Sequence, residues 1–137
     1  MTLNGRRILG SHATALMTLT PILTCATYFG GFTGIGPYGG LAGNDMAIVG
    51  LVQAYPLMGL VAASMWMGSR GSAPWRYSVL AIAAHYIPIS ALVMLWSSIM
   101  DSPIAPAIPF SFVILGGGIT AELISLKLGY GAAKLAN

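Results

Sequence analysis

The chain has 137 residues, 56% of them hydrophobic and 7% charged, with six Lys and Arg against three Asp and Glu for a formal net charge of +3. Soluble domains carry about a quarter charged residues, so this composition excludes an ordinary water-soluble fold for want of groups to cover its surface. The cations are split among short segments rather than gathered on one face, which argues against a nucleic-acid footprint, and the single cysteine, Cys25, allows neither an internal disulfide nor a multi-cysteine metal site.

Four apolar stretches run along the chain, at approximately 8–28, 46–67, 77–100 and 109–128. Each is near the ~20 residues that span a ~30 Å hydrocarbon core. Lipid offers exposed backbone no hydrogen-bond partners, so each stretch is predicted to be an α-helix. The fold class is therefore an all-α integral membrane protein, a four-transmembrane-helix bundle forming a single membrane domain over residues 1–137. The bilayer itself is the first expected partner.

The first stretch follows Arg6-Arg7 and ends near Leu23-Thr24-Cys25-Ala26, a pattern with elements of a signal peptide or a lipoprotein site. It is long for a signal sequence, it contains His12, and Thr24 stands where a small residue normally precedes a lipidated cysteine. It is read as a retained first helix. Pro21 interrupts its hydrogen-bond ladder, and the hydroxyls of Thr18, Thr20 and Thr24 are expected to help satisfy the freed carbonyls.

The connection after it, Gly30 to Gly40, holds a formal G-x-G-x-x-G from Gly34 to Gly39. A dinucleotide site needs that string between a strand and a helix, whereas here it joins two membrane helices and contains Pro37. It predicts a tight, lid-like loop whose glycines take unusual φ values. The second helix carries Pro56 and two small-residue pairs at four-residue spacing, Gly50 with Ala54 and Gly59 with Ala63, which favour close helix packing. The third carries Pro88, His85 and Tyr86. A short, stiff connection with Pro103, Pro106 and Pro109 leads to the fourth, which holds Gly116-Gly117-Gly118 and Glu122.

Orientation follows from charge. Arg6, Arg7, Arg70, Arg76, Lys127 and Lys134 fall on one side, and Asp45 and Asp101 on the other. The positive-inside rule makes the cationic side cytoplasmic and places the N-terminus and C-terminus there. Trp66 and Trp75 then lie at the inner boundary, with Tyr28 and Trp96 at the outer one, as an interfacial aromatic belt.

Ionisable groups within apolar helices are costly and mark a partner or a role. At ~1.5 Å rise per residue, His12 lies ~6 Å and His85 ~12 Å beyond the inner ends of their helices, while Glu122 lies ~8 Å before the inner end at Lys127. Gln53, ~10 Å from the outer end, stands apart. His85, Glu122, His12 and Tyr86 are the candidate cofactor-binding residues. Two histidines on different helices fit bis-imidazole haem b, with the glycine run admitting a flat ring, and a histidine with a carboxylate fits hydrogen bonding to a quinone carbonyl or a proton relay. A metal site has no short-range ligand pair to support it, and no metal ligand is assigned. Of the possible pairs, His85 with Glu122 is the expected one, and His12 is expected to serve as an interfacial residue.

The plan of four short helices with a basic start and a long glycine-bearing first outer loop resembles the small four-helix membrane proteins grouped around the DoxX type. That resemblance implies the same topology over the whole chain and no residue role. The plan departs from small multidrug transporters, which carry a membrane-embedded glutamate in the first helix. The leading expectation is an accessory or anchor subunit of a larger membrane complex, binding haem or quinone on the cytoplasmic side, with other membrane subunits or further copies of itself as partners. The alternatives are a small transporter or channel with a proline-kinked central cavity, and a membrane enzyme acting on a lipid-like substrate through His85 and Glu122. No catalytic residue is assigned.

Overall fold

The computed structural model of the chain describes residues 3–102, 105 and 108–135, with side chains described as far as residue 128. Its elements in order are α1 (Leu3–Thr33), a 3₁₀ turn at Gly39–Leu41, α2 (Asp45–Arg70), α3 (Pro74–Met94), α4 (Trp96–Met100) and α5 (Ile108–Leu135). The described residues contain no strand. Among them, four helices are long and apolar enough to cross a membrane, namely α1, α2, α3 and α5.

The helix ends follow local chemistry. Asn44 caps α2, its side-chain oxygen accepting from the Ala47 amide at 3.1 Å, and Asp45 in the first turn and Arg70 in the last complement the helix dipole. Pro74 opens α3 where its missing amide hydrogen costs nothing. The interior prolines Pro21, Pro56 and Pro88 sit inside continuous helices. Thr18 and Thr24 donate to Thr14 O and Thr20 O, their own i−4 carbonyls, so they do not serve Met17 O, which Pro21 deprives of its usual donor. Thr20 instead faces α2, with its hydroxyl 3.2 Å from where a Cβ on Gly59 would stand.

Several boundaries depart from the hydropathy pattern, α1 among them, which spans Leu3–Thr33 instead of 8–28. The third apolar stretch, expected to run unbroken over 77–100, divides at Leu95 into α3 and α4. The division brings the Trp96 ring against Phe112 of α5, with centroids 6.3 Å apart. The second connection loses Pro109 to the first turn of α5, while Pro103 and Pro106 lie outside the described residues.

The glycine-rich first connection is a tight turn. Gly34 and Gly36 have φ of +71° and +84°, which side-chain-bearing residues rarely adopt, and the Gly34 amide bonds back to Gly30 O at 2.8 Å. Tyr38 fastens the loop to α2 through a 2.8 Å contact between its hydroxyl and that of Tyr55.

Around the bundle, α1 packs on α2 and α5, and α3 packs on the same two helices, so α1 and α3 stand on a diagonal. Leu9, Ala13 and Leu16 of α1, Ala62 and Met65 of α2 and Ala81 of α3 form the buried apolar core. Small residues let α1 and α2 approach closely at Gly59 and at Gly10, where a Cβ would meet the Ser69 hydroxyl at 3.3 Å. One end of the bundle is defined by polar contacts. Arg6 Nη1 donates to Gly71 O at 2.9 Å, and Ser125 Oγ donates to Gly5 O at 2.9 Å while lying 3.4 Å from Ser78 Oγ. That end gathers Arg6, Arg7, Arg70, Arg76 and Lys127, and Asp45 and Asp101 lie at the other. The side chain of Lys134 lies outside the described residues.

Candidate functional site

The charged residues of the bundle interior meet at one point in the half nearer the cationic end. Glu122 on α5 is fully buried, and its Oε1 lies 2.6 Å from Nδ1 of His12 on α1, whose side chain is 11% exposed. This is the length of a charge-assisted hydrogen bond. With Glu122 ionised, Nδ1–H donates to it; with Glu122 protonated, its O–H donates to Nδ1. In both states His12 Nε2 is the ring atom turned away from the carboxyl group.

His85 on α3 reaches the same point across the diagonal. Its ring centroid is 5.1 Å from that of His12, with the planes tilted by 45°, and its Nδ1 lies 2.7 Å from Ala81 O in the preceding turn. A backbone carbonyl can only accept, so Nδ1 carries the hydrogen and His85 Nε2 is left as an acceptor in the neutral ring. The α5 backbone closes the cluster. A Cβ built on Gly118 would stand 2.5 Å from His85 Nε2 and 3.1 Å from His12 Nε2, so both imidazoles press on a position that tolerates no side chain.

The pairing differs from the expected one. Glu122 bonds to His12, not His85, so His12, expected as an interfacial residue, is a member of the cluster. Sequence position carried a signal for this: counted from the helix ends, Glu122 at ~8 Å is closer in depth to His12 at ~6 Å than to His85 at ~12 Å. Tyr86, next to His85, is 61% exposed on the outer face of α3 and does not join the cluster. Gln53 is also exposed, on an outward face of α2 that it shares with Gly50, Ala54 and Leu57.

Among the described residues, two buried side-chain polar atoms have no hydrogen-bond partner within the protein, His85 Nε2 and Glu122 Oε2. Both belong to this cluster. Buried polar groups are nearly always satisfied, so such orphans mark a place where the protein's own packing does not complete the chemistry. An open groove of about 590 Å³ leads to the cluster between α1 and α5, its lining including Arg7 and Ser11 near the cationic end, His12 and Gly118 at its wall, and Gly117 and Leu19 beyond. Gly117 is open, with no atom within 4 Å of a Cβ built on it.

These positions test the candidate groups. Bis-imidazole haem ligation puts one iron between two ring nitrogens, which holds the ring centroids roughly 6 Å apart with a porphyrin plane between them. His12 and His85 are closer than that, tilted, and backed by the α5 chain at Gly118, so the pair does not fit a haem. Among the described residues no group of three His, Cys, Asp or Glu is placed to hold a metal ion. Beside Gly118, the groove wall at Gly117 is open, with room for a side chain.

Comparison with protein-family models, with curated proteins and with solved structures gives no match to this chain, so the likeness to DoxX-type proteins rests on topology alone.

Proposed function

We propose that the chain is a multi-pass membrane subunit that binds a quinone-class ligand in the groove between α1 and α5, with the cationic end of the bundle, and both chain ends, on the cytoplasmic side. The observation that carries this reading is the His12–Glu122 contact at the wall of an outward-opening apolar groove. An isoprenoid quinone enters from lipid, needs an apolar channel for its tail, and offers carbonyl oxygens that a neutral or charged imidazole can bond. His12 Nε2–H would donate to one carbonyl, which requires either the Glu122 O–H donating to Nδ1 of a neutral ring or an imidazolium beside the Glu122 carboxylate. The short Nδ1 to Oε1 contact also provides a path by which a proton lost at His12 is replaced from the carboxyl group.

The test uses decylubiquinone titrated into the purified protein in neutral detergent, followed through the ring-nitrogen resonances of His12. Those resonances are expected to shift to saturation, whereas a straight-chain alcohol of matching length leaves them unmoved. Gly117→Leu places a side chain in the groove without a clash and is expected to weaken binding about tenfold, ~1.4 kcal/mol, at unchanged melting temperature. His12 resonances unmoved at saturating decylubiquinone would sink the quinone reading.

Membership of a complex is supported by α2. Within lipid, an outward-facing Gln53 with Gly50 and Ala54 beside it offers an amide that has no bonding partner in hydrocarbon and a small-residue surface that lets another helix come close. Orientation is supported by the complete separation of described cations from the loop aspartates. One experiment on a Cys25→Ser background addresses both. An impermeant maleimide is expected to label Gly40→Cys from outside intact cells and Gly71→Cys only after permeabilisation; the reverse pattern inverts the topology. Gln53→Cys is expected to cross-link to a neighbouring subunit in the membrane, and a purely monomeric product removes the subunit reading.

A further inference from the structure

A second groove, of about 720 Å³, lies between α1 and α2 at the cationic end, and its lining includes the three arginines Arg6, Arg7 and Arg70. Two of them are held there by contacts to α2. Arg6 donates to Gly71 O at 2.9 Å and reaches Ser69 O at 3.5 Å, so it neutralises the carbonyl-rich end of α2. Arg70 lies over the Trp66 ring, 3.4 Å from its centroid, a cation–π contact that fixes the guanidinium at the groove's edge. Arg7 is exposed on α1 and lines this groove as well as the one beside His12.

No carboxylate among the described residues answers these cations. Among the described residues the sole ion pair is His12–Glu122, and the two aspartates sit at the opposite end of the bundle. Like charges held together without a counter-charge are matched by an anion from outside. The rest of the lining defines that anion. Below the arginines the groove continues past Gly10, Thr14 and Ala15, where the Thr14 hydroxyl is spent on Gly10 O at 2.9 Å. The wall along this stretch is therefore effectively apolar. Ser11, one turn beyond Arg7 on α1, has no hydrogen-bond partner among the described residues and is free to donate. A charged mouth over an apolar furrow matches an anionic headgroup joined to an acyl chain better than it matches a free anion.

We propose that this groove binds an anionic glycerophospholipid of the phosphatidylglycerol class, its phosphodiester held by Arg7, Arg70 and Ser11 beside Arg6, and one acyl chain lying along Gly10 and Ala15. The site rests on the membrane reading above and on the cationic end lying at the bilayer interface, but not on quinone binding, since Arg70 lines only this groove. Its occupant lies over the α1–α2 seam and adjoins the α5 groove at Arg7, Ser11 and Ala15, which line both.

Trp66 reports on the site directly. The full chain carrying Trp75→Phe and Trp96→Phe, which leaves Trp66 as the only fluorophore of its kind, is reconstituted in phosphatidylcholine bilayers doped with brominated phosphatidylglycerol or brominated phosphatidylcholine. Quenching is expected to favour the anionic lipid about tenfold, and Arg70→Gln to reduce that preference about fivefold, the effect of one interfacial arginine. Arg70→Gln alone should leave the His12 response to decylubiquinone intact, since Arg70 does not line that groove, and Arg7→Gln combined with Arg70→Gln should abolish the lipid preference. Equal quenching by the two lipids, or a preference that survives the double substitution, overturns the proposal. So does saturation of the Trp66 response by inorganic phosphate in neutral detergent, which assigns the arginines to a soluble phosphoryl ligand instead.

Discussion

His12→Ala is expected to destabilise the bundle by about 3–5 kcal/mol, the cost of breaking a buried pair by removing one partner. Glu122 is fully buried, its Oε2 already has no partner, and His12 supplies the bond to Oε1. Without the imidazole the carboxyl group either keeps its charge unpaired in an apolar interior or takes up a proton and loses the hydrogen bond. Both outcomes weaken the folded state. Glu122→Gln should cost much less, about 1 kcal/mol, because the amide is of the same size and still bonds to Nδ1. The decisive measurement is a four-member unfolding series in detergent: the parent, each single variant, and the double variant. His12→Ala combined with Glu122→Gln should be more stable than His12→Ala alone, since an unpartnered amide is less costly to bury than an unpartnered carboxylate. The coupling energy is expected between about 0.5 and 3 kcal/mol. If His12→Ala costs no more than an ordinary surface substitution, ~0.5 kcal/mol, the contact carries no structural weight.

The helices were legible because hydropathy measures the property that makes them: a run of apolar residues that satisfies its backbone internally. Their ends were not, because a helix continues as far as its backbone bonds allow, whatever the polarity of its side chains. Thus α1 begins at Leu3 and runs to Thr33, beyond its apolar window on both sides, and it includes Gly30 and Gly31 because these let Tyr38 and Ile48 pack against it. The break at Leu95 leaves no mark in the hydropathy, which stays apolar through it, and it places Trp96 beside Phe112. The site was legible in part. His12, His85 and Glu122 announce themselves as ionisable groups in apolar helices, but depth along a helix is only one of two coordinates. The other is azimuth, and each residue turns by about 100° relative to the last. That rotation sends Tyr86 outward while His85 points inward, and no periodicity in so uniformly apolar a helix reveals it. Azimuth on α5 is set by Gly118, which faces inward as the only position in the triple-glycine run where the imidazoles abut the backbone.

Gly118 therefore separates a shared His, His, Glu site from three unrelated polar residues. Gly118→Ala adds one methyl group 2.5 Å from His85 Nε2 and 3.1 Å from His12 Nε2. His85 is fully buried and tied to Ala81 O, so it cannot swing away without breaking a 2.7 Å hydrogen bond. Overpacking of this kind costs about 1–3 kcal/mol and outweighs the ~1 kcal/mol that alanine gains over glycine in a helix. The melting temperature should fall by several degrees. Gly116→Ala and Gly117→Ala make the same chemical change in the same helix, yet neither Cβ meets an atom within 4 Å, so these two variants should match or exceed the parent in stability. Comparing the three removes helix propensity from the result and leaves the contact with the imidazoles. A Gly118→Ala protein as stable as its two neighbours would mean that the histidines do not press on α5. A further arm tests the cause: His85→Ala empties the space that the new methyl group needs, so Gly118→Ala should be better tolerated in that background than in the parent. If the penalty persists there unchanged, it arises from His12 or from the helix itself, and His85 has no part in the cluster.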